Sequence, residues 1–328
     1  MKLPPLLLLL LCAVTAVRAV EIGQPFELSR EHPAGSVVGG IRLLGALKLG
    51  TATTDGRAAV ELSGLAWDED EGVLYAVSDE GYLVHLKPRF DQDHYLAGVE
   101  LLSTHPLQGP AGRPLAKGQR DAEGLAIRQG DNGVAGDTLL AVSYEVEPRI
   151  WLHRPDGRFL EALELPPPLA DAKHYRGRNA ALESLTWSPL LGWLTAPQKP
   201  LKGTPAREFR LYGLAGDSWS YPPLDPEHSD QVGMAGLGDD RVLLLERVYR
   251  SFFQPVVFAL RRLHPAPGGG AAAVREVFRF NSSEGWRVDN FEGLAHHHGR
   301  RYFMVSDDNQ SAIQKTLLVY FELLEEGP

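Results

Sequence analysis

"NFEGLAHHHGRRYFMVSDDN", residues 290–309, holds two short apolar runs on either side of a histidine and glycine turn, with carboxylates near both ends. Alternating runs of this length bounded by Gly and Asp read as the two arms of a β-hairpin. The first arm has counterparts along the chain: "SGLAW" from Ser63, "EGLAI" from Glu123, "ESLTW" from Glu183, "VGMAG" from Val232 and "EGLAH" from Glu292, spaced 60, 60, 49 and 60 residues apart. The second arm recurs as "GVLYAVSDE", "DTLLAVSYE", "GWLTAPQKP", "RVLLLERVY" and "RYFMVSDDN", and third strands follow in "YLVHLKP", "RIWLHRP", "FRLYGLA" and "PVVFALRRL". A repeat of this period built from short strands predicts an all-β fold, a β-propeller of four-stranded antiparallel blades. Five blades fit the count. Six would need a further blade from residues 20 to 60, too few at this period. The fifth repeat runs out of chain after "TLLVYFELLEE", so its outer strand is expected from the N-terminal "VVGGIRLLGALKLG" (37–50).

The apolar "LLLLLLCAVTAV" before "VRA" (17–19) reads as a secretory signal, too short for a membrane anchor. The expected division is a signal over 1–19, an N-terminal extension over 20–35 and one propeller domain over 36–326. The protein is expected to be periplasmic or secreted, without a membrane span, and monomeric. Cys12 is the only cysteine and lies in that signal, so thiol chemistry and disulfides are excluded from the mature chain. Losing Lys2 and Arg18 leaves 31 basic residues against 42 acidic ones, a net charge of about −11, which argues against nucleic acid as a partner.

In a propeller the start of a blade's first strand and the end of its second lie on one face. That face should collect Asp121, Glu123, Glu183, Asp289 and Glu292 from strand starts and Asp79, Glu80, Glu145, Glu246, Asp307 and Asp308 from strand ends. Long connections should bring Arg120, Lys173, Arg176, Arg178, Asn179 and Arg287 to the same mouth. Crowded carboxylates need a counter-charge. Ca²⁺, which takes six to eight oxygens in flexible geometry, would supply it, and arginines beside it would grip a phosphate or carboxylate. Each acid taken alone is an ordinary turn residue; their recurrence is the argument. A structural ring of ion pairs, with Arg178 and Arg247 serving Glu183 and Glu246, would account for the same residues. "DEDEG" (68–72) reads as a hairpin turn, His296, His297 and His298 as a solvated hairpin on the opposite face, and Trp67 and Trp187 as core. "NSS" at 281 matches a glycosylation sequon, which chance supplies often. No G-x-S-x-G elbow or H-E-x-x-H motif is present.

"DAEGLAI", "RGRNAALESLTW", "LLLERVY" and "NFEGLA" with "VSDDN" and "QKTLLVYFEL", over about residues 36–324, resemble the phytase-like domain family, also described as having esterase-like activity of phytase. The resemblance implies an exported bacterial propeller distantly related to Ca²⁺-dependent phytases, in which calcium in the central mouth binds phosphate and supplies the attacking water. The matching positions are Asp79, Asp121, Glu123, Glu145, Arg178, Asn179, Glu183, Glu246, Arg247, Asn290, Glu292, Asp307 and Asn309. Of these, Asp79, Asp121, Glu123, Glu145, Glu183, Glu292, Asp307 and Asn309 are the expected metal ligands. Arg178, Asn179, Glu246 and Arg247 are expected to serve the substrate, a small anion such as a phosphoester. Gln198 and Ser63 depart from the pattern where an acid would be expected. The rival functions are a non-catalytic propeller that binds a ligand or partner over this face, and a metal-dependent carboxylic esterase or lactonase.

Overall fold

The computed structural model describes residues 19–325 except 55, 239 and 312, so the expected signal lies, but for Ala19, outside the described residues. The five motif segments each form the first strand of a sheet: Leu62–Asp68, Ala122–Arg128, Leu182–Ser188, Ser229–Gly236 and Asn290–His296. Each pairs antiparallel with the next run, Val73–Ser78, Leu139–Tyr144, Gly192–Pro197, Val242–Val248 and Arg301–Asp307, and the sheets continue outward in chain order. Each first strand packs against the first strands of the sheets before and after it, and the fifth returns to the first. The molecule is therefore a five-bladed β-propeller, and the six-blade alternative is set aside.

Side-chain alternation buries both faces of every blade. The result is five apolar clusters, one between each pair of neighbouring blades, rather than one central core. The fifth blade is completed as the sequence requires. Ile41–Leu49 pairs antiparallel with Leu317–Leu323, from Ile41 opposite Leu323 to Lys48 opposite Leu317. Segment 20–35 is woven into the ring rather than preceding it: Val20–Glu21 adds an edge to blade one, and Gly23–Pro25 pairs with residues 47–49.

All five first strands carry a register break at the same place: between Leu62 and Gly64, Ala122 and Leu125, Leu182 and Ser184, Gln231 and Gly233, and Phe291 and Gly293. An unpaired residue in a bulge bends the strand and re-aims its side chain. The residues inserted at this point include Ser63, Glu123, Glu183, Val232 and Glu292, the first residue of each repeat motif. Close approach of neighbouring first strands demands small residues just after it. A Cβ on Gly233 would stand 2.3 Å from the carbonyl oxygen of Glu292, and one on Gly64 would stand 2.5 Å from that of Glu123. Because backbone cannot give way as a side chain can, Gly233→Ala should lower unfolding stability by about 1–3 kcal/mol, measurable in a urea titration.

Candidate active site

Strand register decides which side chains share the mouth. The amides of Asp79, Glu145 and Gln198 donate to the carbonyls of Glu61, Asp121 and Ala181 at 3.2, 3.1 and 2.9 Å. Arg247 and Asp307 are paired in the same way with Asp230 and Asn290. The equivalent ring at the end of the second strands is thus Asp79, Glu145, Gln198, Arg247 and Asp307. Glu246, expected among them, is one residue out of step, and alternation sends its side chain to the other side of the blade. There it is buried, accepting from the Leu224 amide at 2.6 Å and from Arg261 Nη1 at 2.5 Å. It does not pair with Arg247, and its place at the mouth belongs to that arginine.

Inside this ring the bulge positions bring in Glu123, Glu183 and Glu292. Glu123 and Glu183 are buried, and Glu292 is almost so. Gln198 Nε2 donates to Glu183 Oε1 at 2.8 Å, Asn290 Nδ2 donates to Glu292 Oε1 at 2.7 Å, and the Ala181 amide donates to Glu145 Oε1 at 3.1 Å. Ser63, the departure in blade one, donates to Asp79 Oδ1. Burial is the first cause that pushes the Glu123, Glu183 and Asp79 carboxyls well above the ordinary carboxylate range. Neighbouring acids add to it: Asp79 and Glu183 act on Glu123, Glu145 on Glu183, and Glu292 on Asp79. Glu292 is raised to about 8 by burial and by Asp307, against the opposing pull of Arg247. Burial raises the Glu145 carboxyl as well, and its charge in turn acts on Glu183. Asp307 is likewise raised by burial.

Beside Glu292 stands a cationic sector of which Arg247 was expected and Lys199 was not. Arg247 donates to Asn290 Oδ1, meets Asp230 Oδ2 at 2.9 Å and stands 3.9 Å from Glu292 Oε1. Lys199 Nζ reaches the other oxygen of Asp230 at 2.7 Å. Asp230 and Lys199 are functional candidates that sequence reasoning missed. Their signal was the register of "SDQVGMAG" and "APQKP", where Asp230 holds the place of Asp121 and Lys199 follows Gln198. Glu61, in the same place in blade one, was missed too; it accepts from Gln310 Nε2 at 2.9 Å and is raised by burial.

The remaining expected residues are scattered around this centre. Asp121 is half-buried, raised by burial and opposed by Arg149 and Arg178. Arg178 and Asn179 are exposed, and Arg178 lines a side pocket of about 230 Å³ with Glu145, Tyr175 and Lys202. Asn309 is exposed in a left-handed turn (φ 47°), its amide donating to Asp307 Oδ1 at 2.9 Å. Arg287, expected near the mouth, instead lies over Phe26 and 3.6 Å from Glu27. As the side chains stand, no three His, Cys, Asp or Glu among the described residues converge closely enough to hold a metal ion. The donor chemistry nonetheless fits a hard cation: every group is an oxygen donor, and mutual repulsion is what a divalent ion would relieve.

On the other face, the histidine hairpin is only partly the solvated turn expected. His298 is exposed, but His297 is half-buried, stacked on Phe90 with centroids 5.3 Å apart, edge-on to Trp67 at 4.6 Å and hydrogen-bonded to Tyr320 Oη at 2.7 Å. Burial holds its imidazole down at about 4, neutral at physiological pH. His297→Ser should therefore cost about 1–3 kcal/mol in denaturant unfolding, whereas His298→Ser should stay within about 0.5 kcal/mol.

The protein is thus a closed five-bladed propeller with a cluster of acids at its axial mouth beside Arg247 and Lys199. The family model described as "Phytase-like: Esterase-like activity of phytase" matches residues 58–310, and the chain belongs to that family. No curated protein matches. Among solved structures the chain is similar to one titled "Structure of U3-55K", at 11% identity and a TM-score of 0.39, covering 85% of this chain and 98% of that one. No helix among the described residues is long and apolar enough to cross a membrane.

Proposed function

We propose that the protein is an exported, Ca²⁺-dependent hydrolase of small phosphoesters that works at the acidic mouth of the propeller. The observation that carries this reading is the placement at one mouth of Glu123, Glu183 and Glu292, from three bulges, and Asp79, Glu145 and Asp307, from strand ends, beside Arg247. These acids, with Asp121 and Asn309 at the margin, are the ligands we assign to the metal. A bound calcium would neutralise charge on the ester and lower the pKa of a water. Arg247, fixed by Asp230 and Asn290, presents its guanidinium to the substrate anion. Arg178 and Asn179, exposed above Glu145, can reach a substrate that projects from the mouth. Glu183, buried and held well above the ordinary carboxylate range, is the kind of group that can protonate a leaving oxygen.

Hydrolysis of a carboxylic ester or lactone at the same mouth is the second reading, favoured by the family's own description as esterase-like. Export rests on the apolar run before Ala19, and the mature chain is expected to begin at Val20 and to act as a monomer. A panel of phosphomonoesters, carboxylic esters and lactones assayed in Ca²⁺ and in EDTA tests the function. Turnover of phosphomonoesters that EDTA abolishes and Arg247→Gln lowers by about 10²-fold or more is the expected result. Turnover of carboxylic esters alone would establish the second reading, and turnover of nothing would leave a ligand-binding propeller.

A further inference from the structure

Across the axis from the acids lies a second mouth of a different character. Its cavity, about 330 Å³, has a floor of Leu65, Leu125, Leu185, Met234 and Leu294, one residue from each blade. Each stands two residues after the inserted bulge position, so the repeat that aims acids toward one mouth aims apolar side chains toward the other. The collar between the two leaves only about 10 Å³, too little for anything larger than a water molecule to pass. The indoles of Trp67 and Trp187, expected as core, are only partly buried and form walls of this cavity. A concave apolar site of this size with a few polar groups at its edge is the usual form of a small-molecule site.

The rim says what kind of molecule. Arg128 lies with its guanidinium 4.8 Å from the ring centroid of Trp187, and its side chain has no hydrogen-bond or ion-pair partner among the described residues. Asp131, three residues on in the same turn of blade two, lines the cavity and likewise has none. The two are not paired with each other. Glu69, the other acid at this edge, is engaged by Trp67 Nε1 at 2.7 Å. One free cation and one free anion over an apolar floor would leave a simple carboxylate facing Asp131 and a simple amine facing Arg128. A molecule carrying both charges beside an apolar body satisfies both.

We propose that this second mouth binds a small zwitterion with an apolar side group, of the kind an apolar α-amino acid presents, with the carboxylate on Arg128, the ammonium on Asp131 and the side group against the leucine and indole surfaces. The site is independent of the hydrolase reading. It is tested by calorimetric titration of the mature protein with three probes of one shape: phenylalanine, phenethylamine and 3-phenylpropionate. Phenylalanine should bind at least tenfold more tightly than either of the others. Arg128→Gln should remove its advantage over phenethylamine, and Asp131→Asn its advantage over 3-phenylpropionate. Both residues are exposed, so neither change threatens the fold. Equal affinity for the three probes, no heat from any of them, or a phenylalanine affinity indifferent to both substitutions would overturn the proposal.

Discussion

In EDTA the melting temperature should fall as the pH is raised from about 5 to about 8, and millimolar Ca²⁺ should remove most of that fall. The direction follows from the raised carboxyl groups. Between its ordinary value of 4.5 and its folded value of about 8, Glu292 holds more proton in the folded chain than in the unfolded one. Stability then decreases with pH across that window, because it rises with pH only where the unfolded state binds more protons. Glu123, Glu183 and Asp79, raised by burial and by one another, act in the same sense. A cation bound to the ionised acids reverses this balance, since a ligand specific for the folded state stabilises it by about 2.7 kcal/mol at a hundredfold excess over Kd. Glu292→Gln separates the two effects. It removes a titrating group, so in EDTA at pH 8 the variant should melt above the wild type, yet it should gain little from Ca²⁺. Asp70→Asn removes an acid that only ties the blade-one hairpin to the amides of Asn132 and Gly133, each at 2.9 Å, and should keep the full Ca²⁺ gain from a lower baseline. A wild-type melting temperature that ignores both pH and divalent ions would leave the acids as partners of Arg247 and its neighbours, and the metal reading would lose its support.

The ring itself could be read from the sequence because each repeat writes the same local pattern five times, so an error in one blade is corrected by the other four. Closure by residues 37–50 followed from counting strands in the last repeat. The site was less readable, since position along a strand is known only to a residue or two while the side-chain period is two. In "LLLERVY" that uncertainty put both Glu246 and Arg247 at the mouth, although alternation admits only one of two neighbours there, and the pairing of Asp230 with Arg247 shows which. Asp230 and Lys199 were hidden for a related reason: Asp230 stands in blade four, where the motif carries Val232 instead of an acid, and Lys199 follows the second strand of blade three, where Gln198 takes the acid's place. The histidine hairpin differed because tertiary packing decided it. Phe90 and Tyr320, far from residue 297 in sequence, enclose that one imidazole and leave His298 in water. The five bulges were not visible at all, although the first residue of every motif falls at one.

Deleting residues 20–50 should abolish cooperative unfolding of the whole ring. The segment supplies the strand that seals blade five, and through Val20–Glu21 it also crosses to blade one, so the two ends of the chain close the circle by backbone pairing. Without it, one edge of Leu317–Leu323 would lose its partner, and Val319, Tyr320 and Phe321, all fully buried, would face solvent or collapse on one another. Exposed apolar edges of this kind favour pairing between chains, so the truncated protein should be found in aggregates or as a species without a sharp melting transition. The loss should exceed the whole stability of a typical domain, about 5–15 kcal/mol, because the apolar clusters on both sides of blade five are opened together. A milder substitution gives a graded reading of the same joint. Leu47 is buried opposite Leu318, and Leu47→Ala should cost about 2–5 kcal/mol while leaving the transition cooperative. If the truncated protein melts as sharply and as high as the full chain, the N-terminal strand does not hold the ring, and stability must instead reside in the blade-to-blade clusters alone.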